Sequence, residues 1–204
     1  MSFSIVTESF SAPEFTLSKA AYYLGIPHPE DDTRLLCQEA LAQLEPRLSY
    51  RVSYLRFNCK ITEESCDLGF VRIPSRNLAR AFRDCEEGVL FCATLGVGVD
   101  RLIAKYKATS PARALVINAV ATERIEAFCD AFCRSIQEKE GSGVRVKPRY
   151  SPGFGDLPLT FQKTVFSVLE PERRIGVTLN EHCFMTPTKS VTALVGISKG
   201  GEIK

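Results

Sequence analysis

The sequence predicts an α+β fold, a single domain in which strand-like and helical segments interleave around one long helix. Three observations carry this. At 204 residues the chain is long enough for one domain, or for a modest two-lobed one, with a substantial core. Apolar residues make up 45% and charged residues 25%, which excludes a disordered, collagen-like or low-complexity chain. A helical pattern opens at Ser110-Pro111 and runs to about Lys139, while the segments around it alternate between strand and helix patterns.

Taken in order, Leu17 to Leu24 and Asp31 to Leu44 read as helices, separated by Pro27 and Pro29, which interrupt any continuous one. Tyr50, Val52, Tyr54 and the stretch Arg56 to Cys59 lean toward strand, as does Leu68 to Ile73. Ser75 is placed to N-cap a helix through Phe82, and Val89 to Thr94 is an apolar strand-like run. No internal repeat or Gly/Ser linker divides the chain, so residues 1–74 are expected to form an N-terminal region of the same domain whose core is 75–204.

The long helix has a proline in its first turn and the Gly141/Gly143 pair as its stop. Ile117, Ala121, Ile125, Phe128, Phe132 and Ile136 recur every three or four residues as an apolar stripe. Glu123, Glu126 and Asp130 fall together on the opposite side. Three carboxylates on one face form either a solvated surface or an acceptor for the cation of a ligand, and the pattern alone favours the surface.

Next comes Arg145 to Pro158, in which Pro148, Pro152, Gly153, Gly155 and Pro158 rule out a helix or a central strand. It reads as a shaped loop entered by alternating basic residues, in which proline fixes φ, glycine lets backbone amides face a ligand, and an arginine can clamp a carboxylate. Leu159 to Leu169 resumes helical spacing. Ile175 to Leu179 and Ser190 to Ile197 read as strands around a turn at Met185 to Thr188.

Composition narrows the function classes. Twenty-six Lys and Arg against 24 Asp and Glu leave a charge of +2, which points away from nucleic acid and anionic membranes as partners. No apolar run approaches the roughly 18 to 20 residues of a membrane span, and no secretory signal is read at the start, so a cytoplasmic protein is expected. Its eight cysteines include no C-x-x-C pair, which argues for reduced thiols rather than a zinc, iron-sulfur or dithiol site. Cys129 and Cys133, beside Phe128 and Phe132 with no histidine near, read as small buried hydrophobes.

The stretch Arg149-Tyr-Ser-Pro-Gly-Phe-Gly-Asp-Leu-Pro158, followed by Ile175-Gly-Val-Thr-Leu-Asn-Glu-His-Cys-Phe-Met-Thr-Pro187 and Lys189-Ser-Val191, resembles the activation domain of cobalamin-dependent methionine synthase. The resemblance is strong from Arg149 to Ser198, moderate from Ala93 through Phe128 and faint before Ser75. It looks most like small stand-alone members of that family. What it implies is a curved domain with a twisted antiparallel sheet, which binds S-adenosylmethionine and presents it to cobalamin held by a partner, so that the reduced corrinoid is remethylated. The partner would be the cobalamin-binding module of a methionine synthase or another corrinoid protein, with a flavoprotein or ferredoxin as possible electron donor. The family's helix glutamate falls on Glu126, its loop arginine on Arg149, and the rest of its loop on Pro152, Gly153, Phe154 and Gly155. Phe154 stands where the large synthases have tyrosine. The family's acidic ligand near the domain start has no counterpart that aligns, and the sequence ends at Lys204, before an aromatic-rich segment of those synthases.

Two readings from other classes stay beside this one. Val89 to Thr94, Gly96, Gly98 and Asp100 could open a Rossmann-like methyltransferase, although the third glycine is missing. The chain could also be an interaction protein that docks a corrinoid protein without binding a nucleotide.

Overall fold

The structure, a computed structural model, describes residues 3–199; the sequence's last five residues, 200–204, lie outside the described ones. Its centre is a five-stranded sheet in the order β1 (Ile5–Ser9), β2 (Arg51–Asn58), β6 (Glu87–Thr94), β10 (Ser190–Lys199), β7 (Val144–Val146). Every neighbouring pair is antiparallel. Small strands β3 (Lys60–Ile61), β4 (Cys66–Asp67) and β5 (Arg72–Ile73) form a second sheet, and β8 (Thr178–Leu179) pairs with β9 (Met185–Thr186).

The period of two along each strand explains why the sheet is covered on both faces. In β6, Val89, Phe91 and Ala93 enter one cluster with Val52, Ala193 and Val195, while Leu90 and Cys92 enter another with Leu55 and Leu194. The first face carries α1 (Leu17–Tyr23), α2 (Asp31–Leu44), α4 (Gly98–Thr109) and α5 (Pro111–Glu140); the second carries α3 (Arg76–Ala81), α6 (Phe161–Leu169) and α7 (Pro171–Ile175). Because β6 is buried on both sides, its sequence reads as an unbroken apolar run rather than an alternating one.

The 30 residues of α5 span about 45 Å. Its stripe packs on the sheet as the periodicity requires: the Phe132 ring centroid lies 5.0 Å from that of Phe91 and 5.2 Å from that of Tyr54. Phe10, on the stretch after β1, closes on Phe128 at 5.5 Å. Burial pushes the Cys92 thiol up to about 12 and lifts that of Cys129 as well, so these two cysteines behave as core residues.

Several sequence expectations need correction. Glu123 does not share an exposed face with Glu126 and Asp130; it is fully buried. The stretch after β1 crosses α5 there: Glu123 Oε1 accepts the Thr16 N–H at 3.0 Å and Arg124 Nη2 at 2.8 Å, and Arg124 Nε donates to Oε2 at 2.6 Å. A contact between residues more than a hundred positions apart leaves no trace in helical periodicity. Of Leu68 to Ile73 only Arg72–Ile73 is strand, as β5, while Leu68 to Val71 form the turn between β4 and β5, closed by the Leu68 N–H donating to Val71 O at 2.9 Å. Ile175 ends α7 after a first-turn proline, so the strand read there shortens to Thr178–Leu179. The helix expected from Leu159 starts at Phe161, β1 and β7 are strands not anticipated from the pattern, and α4 runs a full twelve residues.

The sheet also decides against the Rossmann-like alternative. A βαβ unit requires parallel strands, whereas β6, the strand before the Gly-x-Gly turn, is antiparallel to both of its neighbours. The helix that follows packs on α5 instead of crossing over to a parallel strand.

Candidate functional site

One register shift aims the site. In β7, Val144, Arg145 and Val146 face Lys199, Ser198 and Ile197 of β10. Continued straight, that ladder would set Arg149 opposite Leu194, yet it is Tyr150 that faces Leu194, with paired backbone bonds of 2.8 and 2.9 Å. One extra residue therefore sits between Lys147 and Tyr150. Pro148, which has no N–H for the ladder, lies in this bulge. The consequence is a change of face: Tyr150 joins Leu194 in the second core cluster, and Arg149 turns to the opposite side, toward α5.

There Arg149 Nη2 donates to Glu126 Oε2 at 2.9 Å and to Asp130 Oδ1 at 2.9 Å. The two acceptors are four apart on α5 and so stand one above the other on its surface. Among the described residues neither Nε nor Nη1 of Arg149 is hydrogen-bonded, which leaves an edge of the guanidinium free. Lys19 of α1 approaches Asp130 Oδ2 at 3.5 Å. Tyr23, at the end of α1, has its phenol raised by partial burial and then by the Glu126 and Asp130 carboxylates, so its ring belongs to the same neighbourhood.

Glu126, Asp130 and Arg149 line a groove of about 750 Å³ between α5 and the β7 edge, walled also by Arg145, Ser151 and Val191. Arg134 and Lys147 add positive charge to its wall. Cys133 reaches the groove, but burial pushes its thiol up to about 11, so it is no thiolate nucleophile near neutral pH. Among the described residues no group of three or more His, Cys, Asp or Glu side chains is arranged to hold a metal ion, and no helix is long and apolar enough to cross a membrane.

Of the residues singled out from the sequence, Glu126 and Arg149 meet directly. Pro152, Gly153, Phe154 and Gly155 form the adjoining turn, in which Gly153 N–H reaches Leu157 O at 2.9 Å and Tyr150 Oη reaches Phe154 O at 3.1 Å. Pro152 is buried, whereas the Phe154 ring is 68% exposed and stands edge-on to Tyr150 at 5.6 Å. Asp156 then ties the turn to α3 by accepting from Ser75 Oγ and, at 2.8 Å, from the Arg76 N–H. Asp130 was visible in the sequence as part of the acidic face, but Lys19 and Tyr23 carried no signal, because they enter through the fold of α1 across α5.

Gly155 makes the turn possible. Its φ is +57°, and a Cβ there would lie 2.6 Å from both Asn77 Nδ2 and Tyr150 Oη. Gly155→Ala is expected to lower unfolding free energy in urea by about 1–3 kcal/mol. Unchanged stability would show that the turn adapts and does not hold the loop rigidly.

Residues 84–200, more than half of the chain, match the family described as vitamin B12 dependent methionine synthase, activation domain. Among solved structures the chain is similar to one described as "Crystal Structure of the MetH Reactivation Domain bound to AdoHcy", with a TM-score of 0.70 at 16% sequence identity over 98% of this chain and 80% of that one. No curated protein matches the chain. The structural likeness extends the shared architecture beyond the matched segment to the N-terminal strand and helices, and the family match covers β7, the bulge and both partners of the Arg149–Glu126 pair. The chain belongs to the family of vitamin B12 dependent methionine synthase activation domains.

Proposed function

We propose that this chain binds S-adenosylmethionine in the groove between α5 and the β7 edge and presents it to a corrinoid held by a separate partner, supporting reductive remethylation of that cofactor. The observation that carries the reading is the Arg149 guanidinium held at 2.9 Å by both Glu126 and Asp130, with part of its edge free. A cation beside two carboxylates is complementary to an amino-acid zwitterion: the free N–H groups of Arg149 suit the α-carboxylate, and Glu126 suits the α-ammonium. The groove's size falls in the range of small-molecule sites, roughly 300–1,000 Å³. The similar structure, which binds AdoHcy, supports the same ligand class here.

The donor would supply a methyl group on a sulfonium, and the protein's own residues would bind and orient it. Arg149 is already fixed by the bulge and by its two acceptors, so little side-chain freedom is lost when a carboxylate docks. The groove is open along one side, as presentation to a second protein requires. No proton transfer is assigned to any residue, since moving a methyl from sulfur to cobalt needs alignment rather than acid–base work.

Glu126→Gln tests the reading. Calorimetric titration with S-adenosylmethionine is expected to show affinity reduced tenfold or more, while the apo protein's stability changes by less than about 1 kcal/mol. Glu138→Gln, an exposed acidic position on the same helix, serves as the control for loss of charge; Glu123 cannot, because it is buried. Equal effects at positions 126 and 138 would reduce the acidic face to a diffuse field.

A further inference from the structure

A second groove, of about 590 Å³, lies farther toward the N-terminus of α5 and shares no wall residue with the first. Ile103 and Ala104 of α4 and Pro111, Ala114 and Leu115 of α5 give it apolar walls, and Leu115 is 57% exposed. Two cations reach it, Lys107 and Lys189. Neither belongs to any ion pair among the described residues. The one carboxylate on the wall, Asp100, is occupied by the Thr188 N–H at 3.2 Å and the Thr188 hydroxyl at 2.5 Å.

Lys189 is held in place from both ends. Its carbonyl accepts the Leu95 N–H at 3.0 Å. Its Nζ donates to Thr122 Oγ1 at 2.8 Å, and that hydroxyl in turn donates to Asn118 O at 2.8 Å. One of the ammonium's three donors is thereby used, and the other two have no protein acceptor among the described residues. Burial lowers the Lys189 ammonium from its usual range, Asp100 offsetting this only in part. A half-buried cation fixed by a neutral hydroxyl, with no carboxylate of its own, is a standing cost to the folded chain that an incoming anion would relieve.

We propose that this groove binds a small ligand carrying one oxyanion on an apolar body, the oxyanion received by Lys189 and the body lying against Ile103, Ala104, Ala114 and Leu115. Carboxylate and phosphate-ester ligands share that chemistry, and Lys107 adds to the positive field at the groove. Thr122, which holds Lys189, is one helical turn from Glu126, so an occupant would lie beside the methionyl end of the first groove without using its residues.

Calorimetry with octanoate tests this, with inorganic phosphate as an oxyanion without a body, octyl phosphate as the phosphate-ester arm and octanol as a body without an oxyanion. Octanoate or octyl phosphate is expected to bind at least tenfold more tightly than inorganic phosphate or octanol. Lys189→Met should weaken that binding at least tenfold, Lys189→Arg should retain it within about threefold, and Leu115→Asp should weaken it through the apolar wall. Arg149→Ala should leave it unchanged, and Lys189→Met should leave S-adenosylmethionine binding unchanged, so the two grooves fail or succeed independently. No binding of either amphiphilic anion by the native protein, or equal binding by the native protein and Lys189→Met, overturns the proposal.

Discussion

Arg124→Ala is expected to destabilise the protein by about 3–5 kcal/mol, the range for breaking a buried ion pair from one side. Arg124 is 2% exposed and Glu123 not at all. Besides its two bonds to Glu123, the guanidinium donates to Pro13 O and Glu14 O at 2.7 Å each and lies 5.0 Å from the Phe15 ring centroid. Truncation would leave a buried carboxylate without its counter-charge, two backbone carbonyls without donors and a void beneath the strap. The double variant Glu123→Gln with Arg124→Met removes both charges and should recover more than half of the loss, because the desolvation cost disappears with the pair. Urea unfolding of the two single variants and the double completes the cycle. A loss under about 1 kcal/mol for Arg124→Ala would mean that the strap is anchored elsewhere. The strap leads directly into α1, so the same variant should also loosen Lys19 and Tyr23 from the first groove.

Arg149→Ala is the second large effect, and it concerns binding rather than stability. Removing a charge-assisted contact to a carboxylate costs about 1.5–3 kcal/mol, which corresponds to roughly a ten- to hundredfold loss of affinity for S-adenosylmethionine. Arg149→Lys should recover only part of it, because an ammonium lacks the planar fork that bridges two carboxylates while presenting a free edge. The fold should survive, since Glu126 and Asp130 are then only a like-charged i,i+4 pair worth a few tenths of a kcal/mol. Unchanged affinity, measured with near-native stability, would move the carboxylate subsite away from Arg149.

How much of this was legible in the sequence depends on the range of the interaction. The α5 stripe, the Ser110-Pro111 start and the β6 core run are local patterns, and the structure shows each where the periodicity puts it. The Arg149–Glu126 meeting is different. Sequence arithmetic places both residues near the groove only by resemblance, because the face on which Arg149 lands depends on a one-residue bulge that is visible only in the pairing of β7 with β10. Glu123 failed for the same reason in reverse: helical angle sets it at the edge of the acidic face, and a strap from the other end of the chain covers that edge. Lys19 and Tyr23 lie on a seven-residue helix whose sequence carries no functional pattern, and they gain a place beside the site only because the buried pair pins that helix across α5.

The most direct measurement is a crystal structure of the protein grown with S-adenosylmethionine. The ligand is expected in the groove between α5 and the β7 edge, its α-carboxylate on Arg149, its ammonium on Glu126 and its sulfonium methyl facing open solvent where a corrinoid could approach. Ligand bound at another place, or a groove in which Arg149 keeps both carboxylates and no ligand enters at saturating concentration, would contradict it.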